Sequence, residues 1–321
     1  EHAMPLDPDL EGFLELAEMG RLSGKSKPMH QLTPQAARAE FDLTSQILDP
    51  SPPGAINVSA LQIPTRDGHQ LAARLYRKAG TEQSALPVIL YFHGGGYVVG
   101  SLDSHDSICR RLAANGRHAV LAPAYRLAPE YPFPTAVHDA VDSANWLAGH
   151  GAELQLDSRQ VIVAGDSAGA TLATVLAISA VQSPEEMVLK PQAQLLFYPV
   201  TDTQRTRPSH QRYAEGYLLE SETLQWFYRH YTPDTVQRGD WRTSPLRAQG
   251  LSALAPAYIS LAEYDPLYDE GLEYAELLQN TGTPVTLLTH NGLTHDFLRM
   301  SGITGDIAGI YSAVDRWLAQ Q

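Results

Sequence analysis

The sequence predicts an α/β fold in which helices cover both faces of a mostly parallel β-sheet. Through the second half of the chain, short β-rich runs alternate with helical patterns, as in strand–helix–strand units. The later runs are continuously apolar, which is typical of strands that are buried on both faces. The first two runs instead alternate apolar and polar residues on either side of Arg66-Asp67-Gly68, which predicts an antiparallel hairpin at the start of the sheet.

Eight runs are predicted to form the strands of this sheet. They comprise residues 59–64, 71–77, 87–93, 118–123, 160–165, 193–199, 257–263 and 284–290. Between them, helical patterns cover residues 104–116, 135–151, the run after Ser167, and 269–282. Three of these patterns end in a glycine, at Gly116, Gly151 and Gly282, as a helix C-cap would.

Two segments do not follow the alternation of strand and helix. Residues 1 to about 50 read as amphipathic helices, at 7–22 and 33–48, ahead of the Pro-rich stretch Asp49-Pro50-Ser51-Pro52-Pro53. Residues 202–245 are polar, aromatic and irregular. We expect these two segments to pack together as a lid over one large domain.

The composition restricts the kind of partner. The chain has 321 residues, of which 43% are hydrophobic and 18% charged, which is an ordinary globular composition. Its net charge of −13 argues against nucleic acid or an anionic membrane surface, because both bind cationic faces. No apolar stretch reaches the roughly 20 residues that span a bilayer. A small molecule is therefore the expected partner.

Cysteine and histidine usage carries further expectations. Cys109 is the only cysteine, so the chain cannot form an intrachain disulfide or a thiolate cluster. The start of the chain lacks the pattern of a signal peptide, so we expect a cytoplasmic protein. The twelve histidines form neither a His-Glu-x-x-His motif nor another clustered ligand pattern, and we expect no metal and no cofactor.

The stretch Gly165-Asp166-Ser167-Ala168-Gly169 is the first candidate for chemistry. This G-x-S-x-G pattern follows a predicted strand and precedes a predicted helix, so the turn exposes the Ser167 hydroxyl beside the N–H group of Ala168 at the positive helix end. Serine and aspartate are also favoured helix N-caps. The pattern alone therefore predicts a nucleophile or a helix cap.

A second candidate is the glycine-rich run Tyr91–Ser101, which reads YFHGGGYVVGS. Three glycines after a buried strand bring several backbone N–H groups into one concave place, as a developing oxyanion requires. The alternatives are a flexible loop or a phosphate cradle. The phosphate cradle is disfavoured because the run contains neither G-x-x-x-x-G-K-S/T nor G-x-G-x-x-G.

A serine nucleophile requires a base, and the base requires an acid that orients its ring. After Ser167 the chain supplies both in that order, with Asp265 just past the seventh strand and His295 just past the eighth. Three other residues compete for these roles. Asp269 is predicted to open the next helix, Glu263 to lie within or at the end of a strand, and His290 to end a strand before a turn at Asn291-Gly292.

These motifs together resemble a known family. H-G-G-G, G-D-S-A-G, D-P-L-x-D and a late histidine before Asp-Phe are similar to the hormone-sensitive-lipase-like bacterial carboxylesterases of the α/β-hydrolase fold. The stretch YRLAPEYPFPTAVHDA at 125–140 is also similar to that family, and the resemblance covers residues 88–298. It implies an eight-stranded, mostly parallel sheet with flanking helices. It also implies a catalytic domain at 51–201 and 246–321, and a helical cap built from 1–50 and 202–245.

The resemblance also implies the roles of the site residues. Ser167 is then the nucleophile, His295 the general base and Asp265 the acid that orients it. The oxyanion hole would use N–H groups of Gly94, Gly95, Gly96 and Ala168, with Gly95 and Gly96 favoured among the glycines. The chain departs from the family pattern at one position, because Asp296 stands where the family usually has glycine.

Other prominent residues near these motifs are expected to be structural. Arg126 and Glu130 are interpreted as an ion pair or as loop anchors, and Asp166 as a hydrogen-bond acceptor beside the nucleophile. Most of the aromatic residues in the irregular segment are expected to pack the cap rather than to line a pocket. They are Tyr213, Tyr217, Trp226, Phe227 and Tyr228.

The resulting hypothesis is a serine esterase that hydrolyses short- to medium-chain acyl esters through an acyl-enzyme. The same triad would serve an amidase or a lactonase, and a small-molecule receptor that keeps the fold without turnover is the alternative from another class. The resemblance leaves a homodimer open.

Overall fold

A computed structural model of the chain describes residues 4–321, so the first three residues of the segment 1–50 lie outside the described part. Eight strands form one sheet in the order β1-β2-β4-β3-β5-β6-β7-β8. Strand β2 pairs antiparallel with β1 and β4, and the other neighbours are parallel, which confirms the mostly parallel sheet with an antiparallel start. The strands are β1 (Ile56–Pro64), β2 (Gln70–Lys78), β3 (Leu86–Phe92), β4 (Ala119–Pro123), β5 (Leu156–Asp166), β6 (Ala193–Phe197), β7 (Ala257–Tyr264) and β8 (Val285–Thr294).

The helices cover both faces of the sheet, as predicted. Their bounds are α1 (Pro8–Leu22), α2 (Pro34–Leu48), α3 (Asp106–Ala113), α4 (Thr135–His150), α5 (Ala168–Gln182), α6 (Pro208–Arg212), α7 (Ser221–Tyr231), α8 (Tyr268–Asn280) and α9 (Asp306–Leu318). Along β3, Val88 and Leu90 belong to the same buried core as apolar residues of α4, α5 and α8, whereas Ile89 and Tyr91 belong to a second core with residues of α3 and α9. Because successive side chains of a strand point to opposite faces, a continuously apolar strand supplies both cores.

One predicted helix end differs from the structure. Gly116 and Gly282 adopt positive φ angles of 75° and 94° after α3 and α8. Gly151, in contrast, stays right-handed at φ −59° and begins a short 3₁₀ turn. The left-handed position that follows belongs to Gln155, with φ 57°. The glycine at 151 is therefore not a left-handed C-cap.

The predicted turn at Asn291-Gly292 was wrong. Strand β8 continues through it to Thr294, with a register shift opposite Ala262 and Tyr264 of β7. Gly292 adopts a φ of 77°, its N–H donates to the Glu263 carboxylate at 2.9 Å, and its carbonyl accepts from the Asp7 N–H at 2.9 Å. These long-range partners hold the Asn-Gly pair as an irregularity within the strand.

The two segments outside the alternation contact each other. Helices α1 and α2 belong to the first, and α6 and α7 to the second. The Arg21 guanidinium of α1 lies 3.0 Å from the Glu220 carboxylate. His30 lies 2.9 Å from the carboxylate of Glu222 in α7 and 3.1 Å from the Thr223 hydroxyl. Among residues 4–321, no helix is both long and apolar enough to cross a membrane.

Candidate active site

Ser167 occupies the sharp turn between β5 and α5. Its φ of 56° and ψ of −121° lie outside the regions that side chains ordinarily favour. Two glycines make this turn possible, because a Cβ on Gly169 would collide with the Phe92 carbonyl and one on Gly165 would collide with the backbone of Gly169. The strained turn is therefore held by close backbone packing, and Ser167 lines a pocket of about 270 Å³.

The structure brings Asp265 and His295 to this serine. Asp265 follows the last residue of β7, and His295 follows the last residue of β8. The Ser167 hydroxyl oxygen lies 3.0 Å from His295 Nε2, and His295 Nδ1 lies 2.7 Å from Asp265 Oδ2. The other carboxylate oxygen of Asp265 accepts the Leu267 N–H at 2.9 Å. This geometry can pass a proton from the hydroxyl to the imidazole.

The electrostatic surroundings of His295 favour its protonated form. Burial lowers the pKa of His295, but the carboxylate of Asp265 raises it, and Asp296 and Asp166 raise it further. The net result is a pKa above the ordinary value for histidine. An imidazolium that forms during proton transfer is therefore stabilised at this position.

The residues that competed for these roles lie elsewhere. Asp269 is in the first turn of α8, and its carboxylate accepts the Ser209 N–H at 2.9 Å. Glu263 receives the Gly292 N–H, and His290 Nε2 lies 2.7 Å from the Ser260 hydroxyl. Each of the three thus has a structural partner away from Ser167.

The glycine-rich loop lies beside the nucleophile. Gly95 and Gly96 have φ angles of 130° and 61°, and both line the same pocket as Ser167. The Gly95 carbonyl accepts the N–H groups of Val98 and Val99 at 3.0 and 2.9 Å, which closes the loop on itself. Within residues 4–321, the N–H groups of Gly95, Gly96 and Ala168 donate no hydrogen bond. Gly95 and Gly96 line the pocket, so their N–H groups are available to an oxygen there, and the N–H of Ala168 belongs to the residue after Ser167 at the start of α5.

Gly94 differs from its neighbours. Its N–H donates to Asp166 Oδ1 at 3.0 Å, so this donor is already engaged. A Cβ at this position would also collide with the same aspartate. Of the four N–H groups predicted as oxyanion donors, three therefore have no other acceptor within the described part of the chain. The N–H of Gly94 instead holds the loop against Asp166.

Asp166 is the residue that holds this loop against the nucleophile turn. Its carboxylate accepts the Tyr91 hydroxyl at 2.6 Å as well as the Gly94 N–H, and it lies 3.0 Å from His105 Nε2. Burial raises the pKa of Asp166, but His105 and the hydroxyl of Tyr91 outweigh it and lower the pKa to about 2. The expected role as a hydrogen-bond acceptor is confirmed, with partners that no local sequence pattern indicated.

Arg126 and Glu130 anchor loops, but they do not pair with each other. The guanidinium of Arg126 binds the carboxylates of Asp139 at 2.7 Å and Asp67 at 2.8 Å. Glu130 instead binds Arg38 of α2 at 2.6 Å. The interpretation as loop anchors is confirmed, and the mutual ion pair is wrong because each residue has a partner from a distant segment.

The pocket that contains Ser167 has a volume of about 270 Å³. Its walls are mainly apolar. They come from the two segments that do not follow the strand–helix alternation, as well as from the rest of the chain. They include Leu14, Phe41, Val200, Leu218, Phe227 and Tyr228. Of the five aromatic residues named in the sequence analysis, most of which were expected to pack the cap, Phe227 and Tyr228 line the pocket. Tyr217 stacks on Tyr264, and Tyr213 contacts the same ring edge to face. The sequence signal for the contribution of α1 and α2 to the pocket walls was their amphipathic pattern.

The described residues offer no site for a metal ion. Among residues 4–321, no three histidine, cysteine, aspartate or glutamate side chains come together as a ligand group.

Comparison with known proteins gives consistent matches. A family model for the α/β-hydrolase fold matches residues 89–299. An ethyl acetate hydrolase of Pseudomonas putida is 45% identical over 301 residues, which cover 94% of each chain. The carboxylic ester hydrolase LipN of Mycobacterium tuberculosis is 36% identical over 94% of this chain and 80% of its own. The solved structure of a hyperthermophilic esterase from the archaeon Pyrobaculum calidifontis superimposes with a TM-score of 0.89 at 35% identity, covering 98% of both chains.

Proposed function

The chain belongs to the family of hormone-sensitive-lipase-like carboxylesterases with the α/β-hydrolase fold and is a carboxylic ester hydrolase, and from that premise we propose that it cleaves short- to medium-chain acyl esters through an acyl-enzyme on Ser167. One observation carries the proposal. The hydroxyl of Ser167, the imidazole of His295 and the carboxylate of Asp265 form a hydrogen-bonded line at the pocket wall.

The proposed reaction has two acyl-transfer steps. Ser167 Oγ bonds to the ester carbonyl carbon while its proton passes to His295 Nε2, and Asp265 holds the other ring nitrogen. The tetrahedral intermediate then breaks its bond to the alcohol, which takes the proton from His295. A water molecule next attacks the acyl-enzyme as His295 accepts its proton. The acid leaves and Ser167 regains its hydrogen.

Gly95, Gly96 and Ala168 are the proposed oxyanion donors. Their support is that Gly95 and Gly96 line the pocket beside Ser167 and that Ala168 is the first residue of α5, where the helix end is positive. Donors fixed before the reaction stabilise the developing charge without reorganisation. The buried Asp166 supports this role indirectly, because it fixes the loop through the Gly94 N–H.

Replacing Gly95 with alanine is expected to lower kcat by about 100- to 1,000-fold. The new Cβ would collide with the Val99 carbonyl at a position whose φ is 130°, so the loop would shift its N–H groups. Steady-state rates with p-nitrophenyl butyrate measure the effect. Gly12→Ala is the matched control, because Gly12 lies in α1 where an added Cβ would meet open space, and its replacement should leave kcat unchanged. An unchanged kcat in Gly95→Ala would remove this loop from the oxyanion hole.

The size of the pocket supports the proposed acyl range. Its volume of about 270 Å³ lies just below the range of about 300–1,000 Å³ for small-molecule sites. We propose that residues 1–50 and 202–245 form the cap of the catalytic domain at 51–201 and 246–321 and set this size. The support is that α1, α2 and α7 all contribute walls.

A series of p-nitrophenyl esters from acetate to laurate tests the proposed substrate range. We expect kcat/KM to be highest for acyl chains of about two to six carbons, because longer chains exceed the pocket volume of about 270 Å³. Maximal turnover on laurate or on emulsified long-chain fat would contradict the proposal. An acyl anilide and a lactone, assayed on the same preparation, should turn over more slowly than the esters. Faster hydrolysis of either would favour an amidase or a lactonase, and binding without turnover would favour a receptor.

Two further predictions concern the molecule in the cell. We propose a cytoplasmic location, and its support is that the only cysteine, Cys109, cannot form an intrachain disulfide, as suits a reducing compartment. The homodimer left open by the sequence stays a prediction, and size-exclusion chromatography with light scattering measures it.

A further inference from the structure

Asp296, the residue that departs from the family pattern, follows the catalytic histidine in a left-handed conformation. Its φ of 74° and ψ of 12° lie in the region that glycine adopts most readily, although aspartate and asparagine are tolerated there. The side chain at this position therefore opposes a local preference of the backbone. Its contacts show what the side chain does.

The Asp296 carboxylate binds Arg299 three residues further on. Both of its oxygens lie near Arg299 Nε, at 2.9 and 3.0 Å, and Oδ2 also lies 2.6 Å from Nη2. Only 3% of the Arg299 side chain and 13% of the Asp296 side chain are exposed. Among residues 4–321, Arg299 has no other acid within salt-bridge distance. A buried guanidinium thus depends on this one carboxylate.

The pair is covered by the N-terminal segment. The guanidinium carbon of Arg299 lies 3.9 Å from the ring centroid of Phe41, which belongs to α2. Phe41, Asp296 and Arg299 all line the pocket that contains Ser167 and His295. Helix α2 therefore shields the ion pair from bulk water, and charges in such surroundings act on each other more strongly than at the surface.

We propose that the Asp296–Arg299 ion pair is a positioning element for the catalytic base, His295. Asp296 favours the imidazolium of His295, and Arg299 limits that effect. Arg299 also holds the turn in place by packing against Phe41. The proposal rests on the function proposed above, since it assigns His295 as the base. It explains why a charged residue occupies a position that favours glycine.

The other groups that face His295 are compatible with this assignment. Asp265 contacts Nδ1, Ser167 contacts Nε2, and the ring of Tyr198 lies 4.4 Å from the imidazole centroid. Asp166, at the end of β5, also raises the pKa of His295. Burial lowers the pKa of Arg299, but Asp296 and Asp166 raise it above its ordinary value, so the guanidinium stays charged.

The two charges of the pair should move the pH profile in opposite directions. A base must be neutral to accept a proton, so kcat/KM falls as pH decreases through the pKa of His295. Asp296→Asn removes a carboxylate that favours the imidazolium and leaves the Arg299 cation, so the acidic limb moves to lower pH. Arg299→Gln removes the cation and leaves the carboxylate, so the limb moves to higher pH. We expect each shift to be about 0.5 pH unit or more.

The double variant Asp296→Asn/Arg299→Gln should return the limb to within about 0.2 pH unit of the parent enzyme, because it removes both charges together. Asparagine keeps the size of the side chain and tolerates the left-handed backbone. Asp296→Gly is the second route to the same test, since glycine suits that backbone and should give the same shift as asparagine. Asp142→Asn is the control, because it breaks an ion pair with Arg66 at 2.9 Å that lies outside the pocket, and it should not move the limb.

The measurement is kcat/KM for p-nitrophenyl butyrate across the pH range, corrected for active sites by the alcohol burst. Opposite shifts in the single variants and their cancellation in the double variant support the proposal. Unmoved limbs, or shifts in one direction only, would overturn it, even if the variants lose stability. Ser167→Ala, measured alongside, separates the two failures. Turnover that survives in Ser167→Ala would contradict the proposed function, whereas unmoved limbs with an inactive Ser167→Ala contradict only the role of the pair.

Discussion

Replacing Ser167 with alanine is expected to lower kcat/KM for an activated ester by about 10⁴- to 10⁶-fold. Without the hydroxyl, no atom at the turn can form the acyl-enzyme, and His295 Nε2 loses the partner that lies 3.0 Å away. The activity that remains would come from the oxyanion donors and the pocket, which still bind the ester and polarise its carbonyl. Initial rates and the stoichiometric burst of p-nitrophenol both measure this, and we expect the burst to disappear.

Ser143→Ala is the matched control for this variant. Ser143 is fully buried, and its hydroxyl donates to the Asp139 carbonyl within α4, away from the pocket. We expect its replacement to leave kcat and KM unchanged. Undiminished turnover in Ser167→Ala, or an equal loss in Ser143→Ala, would remove Ser167 from the reaction.

The expected loss in Ser167→Ala does not depend on unfolding. The turn that carries Ser167 is stabilised by its surroundings, because the Ser167 N–H donates to the Phe197 carbonyl at 2.9 Å and Gly165 and Gly169 allow β3, β5 and α5 to approach closely. None of these contacts uses the hydroxyl. The thermal midpoint of Ser167→Ala should therefore lie close to that of the parent chain, which separates a chemical loss from a structural one.

The sequence was sufficient to locate the three residues of the hydrogen-bonded line because each follows directly from a strong local signal. Ser167, Asp265 and His295 come within two to five residues of the ends of predicted apolar runs, and the strands that these runs form, β5, β7 and β8, end directly before them. The carboxyl ends of parallel strands lie at one edge of a sheet, so residues that follow them can meet despite their separation along the chain. Chemistry specified the residue types, since a serine nucleophile requires a base and the base requires an acid, and the G-x-S-x-G turn predicted the chain order of nucleophile, acid and histidine.

What the sequence could not predict depends on contacts between distant segments. The Asn291-Gly292 pair is a strong turn signal, but Glu263 and Asp7 bind its backbone groups and keep it within β8. The hydrogen bond from the Gly94 N–H to Asp166 could not be predicted either, because it joins residues 72 positions apart. Local propensity is a weak guide wherever such tertiary partners exist.

Asp265→Asn is expected to lower kcat by about 10³- to 10⁴-fold while KM changes little. Asp265 Oδ2 lies 2.7 Å from His295 Nδ1, where a carboxylate keeps the proton on Nδ1 and leaves Nε2 free to accept the proton of Ser167. An amide in its place can donate to Nδ1, which puts the ring proton on Nε2 and prevents it from acting as a base. The acidic limb of the residual activity should also move to lower pH, because Asp265 is the main cause of the raised pKa of His295.

Asp269→Asn is the control that tests this explanation, since it makes the same substitution four residues away. The carboxylate of Asp269 accepts the Ser209 N–H at 2.9 Å, and an asparagine side-chain oxygen can accept the same bond. We expect kcat to stay within about threefold of the parent enzyme, as for a variant that keeps its hydrogen bond. A large loss in both variants would mean that the segment between β7 and α8 needs its carboxylates for its structure. A loss in Asp265→Asn alone, together with a shifted acidic limb, requires the Asp265 carboxylate to act on the His295 ring. Only the contact between Asp265 and His295 Nδ1 links the rate to the position of the proton on the imidazole.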